Sequence, residues 1–155
     1  MEHFENNNEL SDLLEEVGAA NTERIEYYTR AYEQMRDNSD LKSIFTERIH
    51  QSQNFIAELK KYVEPPLAEN FEQSNKTTKN YAGSKQKKIK KKNSYFLDNC
   101  ELGEENTVRV YQDVLKSIKE IPEIVRQTLT DQQNEIKESH EFIKKFRDFN
   151  LDLTA

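Results

Sequence analysis

The sequence predicts an all-α fold, a single four-helix bundle built from two antiparallel helical hairpins. Three observations carry this expectation. Apolar residues recur at spacings of three and four in four separate stretches. Charged residues fill 34% of the 155 positions while glycine and proline occur three times each, which leaves little material for sheet turns and favours helix. Two of the three connections between the periodic stretches are short, and the third is about 28 residues long.

Residues 1–9 are rich in Asn and Glu and are expected to be disordered. A first helix is predicted over about 10–37, on a stripe that includes Leu10, Leu14, Val17, Asn21, Ile25, Tyr28, Ala31 and Met35. Asn38-Ser39-Asp40 supplies a polar turn of good N-cap residues, and a second helix follows over about 40–63. Its stripe runs through Leu41, Phe45, Arg48, Ser52, Phe55, Ile56, Leu59 and Val63. So short a turn makes the two helices antiparallel neighbours. Pro65-Pro66 ends the second helix, because neither residue can donate a backbone hydrogen bond. The stretch 65–93 has weak periodicity, with room for a short helix around 84–92. A third helix is predicted over about 94–117, on Phe96, Leu97, Cys100, Glu104, Thr107, Tyr111 and Val114. Pro122 suits the first position of a fourth helix over about 122–147, with Val125, Leu129, Gln132, Ile136, Ser139, His140 and Ile143 inward. Residues 150–155 are expected to form a frayed tail. Two hairpins joined by one crossover long enough to travel the length of the bundle is the ferritin-like arrangement.

Composition narrows the function. Cys100 is the single cysteine, so no intrachain disulfide forms and no zinc spacing exists; it reads as a small core residue. The N-terminus is polar, and no stretch is long and apolar enough to span a membrane, so a cytoplasmic protein is expected. The net charge of −6 is unevenly spread: eight lysines and no acid lie between Lys76 and Lys92, and the remaining residues carry a net of −14. Lys85, Lys87, Lys88, Lys90, Lys91 and Lys92, flanked by Tyr81 and Tyr95, are candidates for contacting nucleic acid or an anionic membrane surface. The alternative is a solvated crossover lying against an acidic body. No phosphate-binding glycine loop, nucleophile elbow or Ser/His/Asp arrangement is present, and no cofactor or small-molecule substrate is expected.

Leu41-Lys42-Ser43-Ile44-Phe45 followed by Phe55-Ile56-Ala57-Glu58-Leu59, and Cys100-Glu101-Leu102-Gly103-Glu104 followed by Tyr111, carry a resemblance. These segments resemble a bacterial family of ferritin-like bundles with no assigned function, over roughly residues 10–148. The resemblance implies a ferritin-like fold without a credited catalytic activity. The family's crossover usually carries an aromatic short helix; here the lysine run replaces it, so nothing done by the crossover carries over.

A ferritin-like di-metal centre needs an inward Glu from each of two helices and a Glu-x-x-His pair from each of the other two. Glu47-Arg48-Ile49-His50 matches the pair by sequence. At ~100° per residue, Glu47 and His50 fall about 135° and 165° from the centre of their stripe, and so face solvent. On the fourth helix His140 lies near the stripe, but Lys137 stands where the ligand Glu belongs. Glu23 and Glu26 lie away from the apolar stripe of the first helix. Only Glu104 lies at the centre of a stripe.

A lone carboxylate in a core needs a partner. Arg24 and Arg48 both fall on inward stripes at about the depth of Glu104, and an arginine fork binds a carboxylate through two hydrogen bonds. The expectation is a buried polar layer of Glu104 with Arg48, Arg24 or both, supported by Gln132, His140, Asn21 and Ser52. Gly103 beside it would let a neighbouring backbone approach closely. The leading functional expectation is a non-enzymatic structural, stress-associated or interaction protein that self-associates, with Tyr27, Phe142 and Phe149 as exposed aromatic contacts. One alternative is a metal-binding bundle using Glu104, His140 and Glu101 or Glu135; another is an anion-binding adaptor working through the lysines.

Overall fold

The computed structural model describes residues 2–35, 37–63, 92–117 and 121–154, with side chains described for 9–35, 37–63, 95–117 and 121–149. The described residues form four helices and no strand: α1 (Glu2–Gln34), α2 (Ser39–Lys60), α3 (Lys92–Ser117) and α4 (Glu123–Thr154). No helix among them is long and apolar enough to cross a membrane.

Helix α1 is already formed at Glu2, where the sequence reading places disorder over 1–9. Helix α4 runs to Thr154, past the expected end near 147 and through most of the expected tail. The turn between α1 and α2 works as its residues suggest: Asn38 caps α2, its side chain accepting from the Leu41 amide at 3.1 Å. The Pro122 carbonyl accepts from the Arg126 amide at 3.0 Å, so proline stands where its missing N–H costs nothing. The expected short helix at 84–92 and nearly all of the crossover 65–93 lie outside the described residues, as do Lys85, Lys87, Lys88, Lys90, Lys91 and Tyr81; Lys92 opens α3.

Cross-helix contacts give the relative directions. Asn21 meets Ser52 while Tyr28 meets Phe45, so α1 and α2 are antiparallel. Asn21 also meets Tyr111 while Tyr28 meets Glu104, so α1 and α3 are antiparallel. Tyr111 meets Gln132 while Glu104 meets Ser139, which makes α3 and α4 antiparallel. Helices α2 and α3 therefore point the same way.

The core is divided. One apolar cluster gathers Leu10, Leu14, Val17, Phe55, Leu59, Val114, Val125 and Leu129 toward one end of the bundle. A second gathers Tyr28, Ala31, Met35, Leu41, Phe45, Leu97, Cys100 and Ile143 toward the other. Between them, at the middle of every helix, the inward positions are polar: Asn21 and Arg24 on α1, Ser52 on α2, Glu104 on α3 and Ser139 on α4 are all buried. Tyr27, expected to be exposed, is 5% exposed. Its ring lies against Gly103, where an added Cβ would sit 2.2 Å from the nearest ring carbon. The glycine thus admits an aromatic ring rather than a neighbouring backbone.

Gly103→Ala should accordingly destabilise the fold. Displacing a buried ring costs about 1–3 kcal/mol, and the gain in helix propensity of about 1 kcal/mol offsets only part of it. A lower urea midpoint at unchanged m-value checks this; an equal or higher midpoint contradicts the tight packing.

Candidate functional site

The polar layer is centred on an ion pair between α1 and α3. Arg24 Nε donates to Glu104 Oε1 at 2.6 Å and Nη2 donates to Oε2 at 3.1 Å, with both side chains fully buried. This is the two-pronged geometry that matches a planar guanidinium to a carboxylate. The remaining Arg24 donors reach the other helices: Nη1 to Ser52 Oγ at 2.8 Å, and Nη2 to Gln51 Oε1 at 2.8 Å and Ser139 Oγ at 3.2 Å. Glu104 accepts three further hydroxyls, from Tyr28 at 2.5 Å, from Tyr27 at 3.4 Å and from Ser139. The Arg24 guanidinium also lies 5.6 Å from the centre of the Tyr28 ring.

The network continues along the bundle. Ser52 donates to Asn21 Oδ1 at 2.8 Å, Asn21 Nδ2 donates to Tyr111 Oη at 2.8 Å, and Tyr111 donates to Gln132 Oε1 at 2.6 Å. Gln132 Nε2 then donates to Glu58 at 2.8 Å, where the chain of bonds reaches the surface. No side-chain atom of this chain of residues is both buried and unpaired; among the described residues only Arg48 Nε and His140 Nε2 are.

Electrostatics follow from this geometry. Burial works against the Arg24 charge, but the adjoining Glu104 carboxylate more than compensates and holds the guanidinium above its ordinary pKa. Burial, reinforced by Glu104, pushes the Tyr27 and Tyr28 phenols well above theirs. Burial does the same to Tyr111 and to the Cys100 thiol, the latter again with Glu104 adding to it. Cys100 is fully buried, which leaves its thiol inert.

Of the residues expected in the layer, Glu104, Arg24, Asn21, Ser52 and Gln132 belong to the one network. Arg48 does not join it. Its guanidinium lies 5.7 Å from the centre of the Phe142 ring and 3.4 Å from Glu47. A second guanidinium beside Arg24 would meet like charge in a poorly screened interior. His140 is also outside the network: Nε2 lies 3.5 Å from Glu101, which also pairs with Arg147. Helical phase explains this, because Ser139 takes the inward position and the next residue is turned by about 100°. Glu23, read as outward, is buried. Tyr27, Tyr28, Ser139, Gln51 and Tyr111 join the network as well, beyond the members expected from sequence; for Tyr28, Ser139 and Tyr111 a hydroxyl on an inward stripe is the available signal.

The metal ligand candidates are dispersed. Glu104 is enclosed by its five donors, His140 and Glu101 face each other outside the network, and the exposed Glu135 accepts from Gln51 of α2. Glu47 and His50 are exposed. Among the described residues no group of three His, Cys, Asp or Glu side chains could hold a metal ion. What the layer can do chemically is hold a charge pair dry and lock four helices in one register.

Glu104→Gln should destabilise by about 3–5 kcal/mol, because it strands the buried Arg24 charge. Arg24→Met should do the same for Glu104, and the double variant should be less destabilised than the sum of the singles. Additive losses in urea denaturation would show that the two groups are not coupled. Phenols whose pKa is raised by folding contribute stability that is whole below about 10 and is lost as pH rises beyond it. Stability should fall above that pH, and Tyr111→Phe should flatten the fall while lowering stability at neutrality. An unchanged slope would contradict the assigned burial.

No family model matches the chain, and no curated protein and no solved structure matches it.

Proposed function

We propose that the chain is a non-enzymatic ferritin-like bundle that acts as a structural or interaction protein and associates with its own copies. One observation carries the reading: a guanidinium is built into the centre of the bundle. Arg24 engages its donors on all three neighbouring helices, and Glu104 has both oxygens occupied. A catalytic or ligand-binding centre needs an open position, and a di-metal centre needs several carboxylates around cations. Here a fixed internal cation neutralises the fully buried Glu104 carboxylate.

The ferritin-like assignment is supported by helix direction. Because α2 and α3 point the same way, the end of α2 and the start of α3 lie at opposite ends of the bundle, about 33 Å apart along a helix of this length. The segments around Leu41, Phe55 and Gly103 support it through the family resemblance described above.

Elemental analysis of the purified full chain tests the reading. Iron, manganese and zinc are each expected far below one equivalent per chain, before and after incubation with the metal salts. A stoichiometric metal that Glu104→Gln abolishes would replace this reading with the metal-binding one.

A further inference from the structure

The outer face of α4 carries a stripe with an unusual composition. Glu135, Glu138, Phe142, Lys145 and Phe149 succeed one another at spacings of three and four, and all are exposed. Phe142 is 45% and Phe149 61% exposed, two of the four exposed large apolar side chains among the described residues. Phe142 is not loose: its ring stacks on Phe146 at 6.2 Å and receives the Arg48 guanidinium on a face. A held aromatic ring left in water on an otherwise charged helix marks a contact surface.

The charges on this stripe are ordered. Acids precede Phe142 and Lys145 follows it. We infer that this stripe pairs antiparallel with the same stripe of a second copy, about a two-fold axis at Phe142. In that register Phe142 meets Phe142 of the copy, and Glu138 meets Lys145 of the copy in two symmetry-related pairs. Glu138 and Lys145 lie on the same edge of the stripe, about 40° and 60° from Phe142, and same-edge residues face each other when two helices pack antiparallel. Neighbouring registers are worse. Moving the axis a turn toward the N-terminus sets Glu138 against Glu138, and moving it a turn the other way sets Lys145 against Lys145. Like charges therefore penalise slippage on both sides, while the aromatic pair drives association. The contact from Glu135 to Phe149 spans about 22 Å of helix and is isologous, so it closes at a dimer rather than growing into a filament.

This surface rests on the self-association reading above, and the test separates the two. Sedimentation of the full-length chain should show a concentration-dependent dimer. Phe142→Glu should leave a folded monomer of unchanged helicity. Glu138→Lys and Lys145→Glu should each weaken the dimer at least tenfold, and combining them should restore it. A wild-type chain that stays monomeric into the high micromolar range overturns both the self-association reading and this surface. A dimer that survives Phe142→Glu, or a charge-swapped double variant that fails to recover, overturns the surface alone.

Discussion

Everything in this bundle is arranged around one buried pair of charges. Moving a carboxylate and a guanidinium out of water costs several kcal/mol for each ion, and their attraction repays it only when the remaining donors and acceptors are also satisfied. The Arg24–Glu104 pair meets that condition by recruiting all four helices. Tyr27 and Tyr28 come from α1, Ser52 and Gln51 from α2, and Ser139 from α4. A sliding of any helix by one turn would leave a charge or a hydroxyl unpaired in the interior. The apolar clusters on either side tolerate such shifts better, since leucines and phenylalanines are not directional. The layer therefore specifies register, and the two clusters supply most of the burial.

The same pair explains local features that look unrelated. Gly103 precedes Glu104, and its missing side chain is the space that the Tyr27 ring fills. Tyr27 needs that space because its hydroxyl is turned to Glu104. Arg48, largely buried, turns away from the layer to meet Glu47 and Phe142, since a second guanidinium beside Arg24 would meet like charge.

The four helices were legible in the sequence because each carries a stripe at helical spacing, and the turn at Asn38 is written in its capping chemistry. Helix ends were less so: α1 and α4 both extend into segments whose apolar pattern has lapsed, where only charge and propensity remain as signals. Glu104 and Arg24 were legible as partners, since an ionised group at the centre of a stripe demands a counter-ion at the same depth. Arg48 lies on the inward stripe of α2, so phase alone does not separate it from true members, whereas His140 stands one residue past Ser139 and is turned aside by about 100°. A helical wheel places Cα atoms to within a residue, but a long side chain one step off the stripe can turn inward or outward, and its neighbours decide. Tyr27, Tyr28 and Ser139 were missed for a different reason. Tyr28 and Ser139 lie on apolar stripes, where a ring or a small side chain already accounts for their burial, Tyr27 lies beside its stripe and reads as exposed, and each hydroxyl becomes informative only once the carboxylate it meets is known.

The Glu47-x-x-His50 pair shows why motif and phase must be argued together. In composition and spacing it is one of the two Glu-x-x-His pairs of a di-metal ligand set, and the inward Glu104 adds to the impression. Yet both residues of the pair are exposed, and Glu104 is spent on a guanidinium. A metal ligand must be inward, unpaired and near others of its kind. Glu104 meets the first condition and fails the second, while Glu47 and His50 fail the first. Inward position without an open lone pair gives a structural lock, and open lone pairs without inward position give a solvated surface. The bundle holds each separately, so among the described residues the familiar ligand pattern gathers no metal site.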